Sequence, residues 1–139
     1  MNDKLRLERL KELKHMLLNH KKIFPLVKFD INDWGSVETK EHKTLNLTTP
    51  VTCGFAACAL GSAACHEPFV KSGLKMIFDY DRFVPKFKNA TNERAGEQFF
   101  GLSYPEAYDL FMPGGYTNEE VTPKHVAAKV AKLIKHYAA

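Results

Sequence analysis

The chain is poor in the residues that mark specialised chemistry. It has a single tryptophan and three cysteines, Cys53, Cys58 and Cys65, none at the Cys-x2-Cys spacing usual in a structural zinc site. On a helix, Cys53 and Cys58 would diverge by about 140° at 100° per residue, and the Cys65–His66 pair does not repair that. Cys58 and Cys65 would share one helical face about 10 Å apart, too far for a disulfide. Reduced thiols of this kind fit a cytoplasmic protein. No apolar run approaches the ~18 residues of a membrane span, and the charged, amphipathic first turns do not resemble a signal peptide. The sequons at Asn46 and Asn89 stand without other signs of secretion. There is no Lys/Arg-rich block, internal repeat or low-complexity stretch, which argues against a nucleic-acid arm.

What is present suits one globular domain. A length of 139 residues buries enough surface to fold without metal or disulfide. Hydrophobic residues make up 45% and include ten phenylalanines, which suggests a core of Phe and Leu. The net charge of +4 accommodates a small anionic ligand or an acidic partner surface, although solubility alone also accounts for it.

The most informative segment is Thr52 to Ala64, which carries no charge and is mostly Ala, Gly, Ser and Cys. It predicts a buried central helix over Cys53–Ala64 capped by Thr52. Gly61 would cost about 1 kcal/mol there unless a neighbour packs closely on it. Around this rod the periodicity predicts an amphipathic helix over Asp3–Asn19, with Arg6, Arg9 and the neighbouring charges on its wet side. A short strand is expected over Leu26–Ile31, a turn at Asn32–Ser36, and a second extended piece near Leu45–Thr48. A strand is expected over Leu74–Phe78, reaching at most Val84, and a helix should run from Ala90 to Phe100 with Gly101 as its stop. Ser103-Tyr104-Pro105-Glu106 is a capping box opening a helix through Phe111. Thr122-Pro123 opens the last helix, with Lys124, Lys129, Lys132 and Lys135 outside. The expected fold class is α+β, helix-dominated, one compact domain around the central helix with a small strand component.

Two combinations, Trp34-Gly35-Ser36 and Cys53-Gly54-Phe55-Ala56-Ala57-Cys58-Ala59-Leu60-Gly61, resemble a group of small proteins of tailed phages and of bacteria with phage-like genes. The later Phe100-Gly101-Leu102-Ser103, Glu106-Ala107 and Leu110-Phe111 also match that group, and Phe55 stands where it usually has Thr. The similarity covers roughly Asp30 to Phe111. It implies a phage-type accessory protein and directs attention to Trp34, Gly35, Ser36, Cys53 and Gly54.

Three functions follow as expectations. In the first, the protein binds a small anionic ligand without chemistry. Free N–H groups at the start of the central helix would receive the anion, Trp34 and Tyr116 would offer aromatic surfaces, and Arg94 would pair with phosphate. The Gly114–Gly115 hinge would close Tyr116 over the ligand, which the resemblance makes a nucleotide-type signal of host defence. In the second, Cys53 at that helix start is the nucleophile of a hydrolase, with His42, His66 or His125 as base. A third role is inhibition of a host protein by direct contact, and the first helix could also pair two copies of the chain. Metal and cofactor are not expected. Asp30, Asn32, Gly35 and Glu41 fall at EF-hand spacing, but Trp34 occupies a ligand position and cannot ligate.

Overall fold

Helix α1 (Asp3–Leu18) starts where Asn2 caps it by accepting the Leu5 N–H at 2.8 Å. Its Leu10, Leu13, Met16 and Leu17 stripe is buried against α7 (Pro123–Ala138), so the two ends of the sequence form one helical layer. The computed structural model describes residues 1–37, 55–79 and 82–139. Among these, no helix is long and apolar enough to cross a membrane.

After the short α2 (His20–Ile23), β1 (Val27–Phe29) lies within the expected strand and runs parallel to β3 (Phe55–Ala57). Strand β2 (Ser36–Val37) pairs antiparallel to the same β3 from the other side. The expected central helix is therefore corrected: Phe55–Ala57 is the middle strand of a three-stranded sheet, and helix α3 covers only Ala59–Ala63. The chain leaves the strand at Cys58, whose N–H donates to the Asp33 carbonyl at 2.6 Å and whose sulfur accepts the Gly61 N–H at 3.3 Å. A short run of small apolar residues is compatible with either element, and this tertiary hydrogen bond selects strand, then cap, then helix. Burial of the segment is as expected, because every residue from Ala57 to His66 is buried. Gly61 is required by contact: a Cβ there would overlap the Trp34 carbonyl.

Beyond α4 (Glu67–Lys71), the apolar stretch that begins at Leu74 forms two strands, β4 (Lys75–Asp79) and β5 (Arg82–Phe87), which pair antiparallel. Strand β6 (Ala90–Thr91) adds to β5 and takes the first residues expected to be helical, so α5 spans Glu93–Phe100. Its Phe99 and Phe100 meet Phe69 at 5.3 and 5.4 Å between ring centroids, nearly edge-on. Phe100 continues to Phe111 at 5.8 Å. Edge-to-face contacts of this kind add to the area they bury.

Arg6 and Arg9 do not stay on the wet side of α1. Arg6 donates to the Gly101 carbonyl at 2.8 Å and Arg9 to the Phe99 carbonyl at 2.7 Å, supplying donors to the end of α5. The Arg9 guanidinium also lies 3.9 Å from the Phe99 ring centroid, a cation–π contact, and burial lowers its pKa. Helix α6 (Tyr104–Phe111) carries the expected capping box, with Ser103 and Glu106 bonded reciprocally. The result is a helix-dominated α+β domain with two small sheets.

Candidate functional site

The structure gathers four of the sequence-selected residues on one face. Asp33 organises the turn: its carboxylate accepts the Gly35 N–H at 3.1 Å and the Ser36 hydroxyl. Gly35 is buried and Trp34 partly buried against the core, with the Trp34 carbonyl set against Gly61 of α3. Trp34 lines a small cleft of about 140 Å³, and Tyr116 lines a neighbouring one of about 340 Å³. The two share Ile31, Asn32 and Pro113.

This face suits an anion poorly. Its larger cleft holds the carboxylates Asp30, Glu119 and Glu120 against the single cation Lys28. Nor does Tyr116 stand on a free hinge. Its hydroxyl donates to the Leu110 carbonyl at 2.7 Å, and its ring sits 3.9 Å from the Lys129 ammonium. Burial pushes the Tyr116 hydroxyl pKa up, and nearby Asp109 and Cys58 push it further. Lys129 also donates to the Gly115 carbonyl, and at 2.9 Å to the Asp109 carboxylate. Gly115 is needed because a Cβ there would overlap the backbone of Asp109. Arg94 is exposed on α5 and lines neither cleft.

The catalytic candidates do not assemble among the described residues. Cys53, Gly54 and His42 lie outside those residues, and the helix that was to activate Cys53 begins at Ala59. Cys58 is sealed in the core, and burial pushes its thiol pKa up to about 12. Burial raises the Cys65 thiol as well. Neither is the thiolate that nucleophilic attack needs. His66 hydrogen-bonds the Glu12 carboxylate at 2.9 Å, with its ring edge-on to Phe69. His125 Nδ1 accepts the Thr122 N–H at 2.9 Å, filling the glutamate position of a capping box. The sequence reading did not single out His20 and Ser62, which pair at 2.9 Å. They are only 5% and 2% exposed, and rings of Phe24 and Phe29 pack on the imidazole, so no substrate reaches them.

A different feature does combine access, charge and shape. Helix α7 holds four lysines and no acidic residue, so the rest of the chain balances at sixteen basic and sixteen acidic residues. Between α6 and α7 runs a groove of about 450 Å³. Helix α6 contributes Glu106, Asp109 and Leu110, and α7 contributes Lys129, Lys132, Leu133 and His136. Both carboxylates are already engaged. Asp109 is paired with Lys129. Glu106 accepts from the Tyr137 hydroxyl at 2.5 Å and the Ser103 N–H at 2.9 Å. Burial alone would raise the Glu106 pKa, but these hydrogen bonds and nearby His136 hold it below its usual range. Lys132 has no ion pair or hydrogen bond among the described residues. The one sequence signal for this site was the absence of acids from α7. Comparison with family models, with curated proteins and with solved structures finds no match to the chain.

Proposed function

We propose that this protein is a non-enzymatic binder of a small anionic ligand, and that the ligand lies in the α6–α7 groove. The observation that carries the reading is the uncommitted Lys132 ammonium in the groove, on a helix with four lysines and no acidic residue. A volume of about 450 Å³ falls within the usual range of small-molecule sites. The lysine-rich helix raises the local concentration of anions. Against catalysis stands the burial of every described thiol and of the Ser62–His20 pair. Within this class of ligand, the resemblance to phage-type proteins selects a nucleotide-type signal.

Thermal denaturation in the presence of inorganic phosphate, mononucleotides, cyclic nucleotides and organic acids tests the proposal. A true ligand at a hundred times its Kd stabilises by about 2.7 kcal/mol, which for a domain of this size raises Tm by roughly 10 °C. Lys132→Glu abolishes the shift and added salt weakens it. A panel that leaves Tm unmoved overturns the reading.

A further inference from the structure

We propose that the outer edge of β1 docks an extended, basic segment of a partner protein, which adds to the sheet as a further strand. This is a second site, independent of the α6–α7 groove. Strand β1 lies at one end of the sheet order β1-β3-β2. Its register with β3, and the Asp30 N–H donated to the Ala57 carbonyl at 3.0 Å, fix which backbone groups are used. Lys28 turns both its N–H and its carbonyl towards β3. Successive residues of a parallel pair alternate in this, so both groups of Phe29 and the carbonyl of Val27 turn the other way. The Val27 N–H donates locally to the Phe24 carbonyl at 3.1 Å. Among the described residues, nothing meets the N–H or the carbonyl of Phe29. Unpaired groups on a strand edge are the template that strand addition uses.

Space for the incoming strand lies alongside. The cleft of about 340 Å³ is lined by residues 28–32, which follow the edge, and by Pro113, Tyr116 and residues 118–121 before α7. Neither Ala56 nor Ala57 of β3 lines it, so the cleft opens off the free side of β1 rather than on the face of the sheet. Its charge selects the occupant. Asp30, Glu119 and Glu120 outnumber Lys28, and among the described residues none of these carboxylates is held in an ion pair. Asp30 accepts the Asn32 N–H at 3.0 Å, and Glu119 and Glu120 are exposed. No group of three His, Cys, Asp or Glu among the described residues could hold a metal ion. A small organic cation would satisfy the carboxylates but leave the Phe29 groups unmet. A polypeptide with lysine or arginine at alternate positions satisfies both. Lys28, at the centre of so short an edge, works against pairing with strands that lack this complementarity.

The test titrates the isotope-labelled full chain with a capped octapeptide of alternating lysine and threonine. Calorimetry reports affinity, and NMR reports hydrogen exchange at the Phe29 amide. The expected result is saturable one-to-one binding, with exchange at Phe29 slowed by about tenfold or more. The same peptide N-methylated at alternate residues keeps its charge and loses strand pairing, and should bind about tenfold more weakly or worse. The combined Glu119→Gln and Glu120→Gln protein keeps its fold by circular dichroism, and should bind the peptide about tenfold more weakly. Added salt weakens binding as well. Lys132→Glu, in the α6–α7 groove, changes the affinity less than about threefold. If the N-methylated peptide or spermine binds as tightly, or Phe29 stays unprotected, the contact is one of charge alone and the inference falls. If Phe29 is already protected in the free protein, the edge is closed by the chain itself or by a second copy, and the inference falls. Absence of binding also overturns it, and none of these outcomes bears on the α6–α7 reading.

Discussion

Acid should destabilise this protein through His20. The imidazole is 5% exposed, bonded to Ser62 at 2.9 Å, and packed by Phe24 and Phe29. Burial lowers its pKa from 6.5 to about 4. The unfolded chain takes up the proton near pH 6.5 and the folded one resists it until pH 4. The stability due to the neutral ring is therefore fully present above pH 6.5 and is lost progressively as pH falls towards 4. Lowering the pH from 7.5 to 5.0 costs about 2 kcal/mol from this group alone, and the full loss below pH 4 is about 3 kcal/mol. Urea denaturation at the two pH values measures it. The comparison is with His20→Gln, which keeps a polar partner for Ser62 and cannot titrate. Glu12, His66 and the other ionisable groups are common to both proteins, so the difference between their pH dependences isolates His20. The wild-type protein should lose about 2 kcal/mol more than the variant. Equal losses would refute the argument.

Two further outcomes are expected. Gly61→Ala improves helix propensity by up to about 1 kcal/mol, but its Cβ would meet the Trp34 carbonyl, so the net effect is a loss of about 2 kcal/mol or more in a denaturant titration. Cys58 and Cys65 should resist iodoacetamide in the folded protein and react on unfolding, with peptide mapping reporting each site; fast labelling of either at neutral pH would contradict their burial.

Elements whose signals are local were legible in the sequence. The caps at Ser103 and Thr122 and the leucine stripe of α1 act within a few residues, and each appears where the pattern puts it. The short strand around Val27–Phe29 was also readable. Misreadings occurred where a distant partner decides. Phe55–Ala57 is a strand because β1 and β2 flank it, and Cys58 ends it by reaching Asp33, a contact that no window of sequence contains. Arg6, Arg9 and Lys129 read as solvated because charged residues on the polar side of a helix usually are. Their long apolar stems carry the charged ends inward to the Gly101, Phe99 and Gly115 carbonyls. His125 escaped recognition as a cap because an imidazole nitrogen replaces the usual glutamate oxygen. Trp34 and Tyr116 stand out in the sequence as loop aromatics, but the carboxylates near them and the groove between α6 and α7 come together only in the fold.

A lopsided layout of charge also sets how the whole molecule meets a surface. Helix α7 offers four lysines and no carboxylate of its own to a negatively charged matrix, and α1, which packs against it, is net basic too. The protein should be retained on a sulfonate resin longer than a protein of equal net charge spread evenly, and adsorb in one preferred orientation. A protein so adsorbed would turn the mouth of the groove towards the matrix, so immobilisation for binding assays is better made through the opposite face.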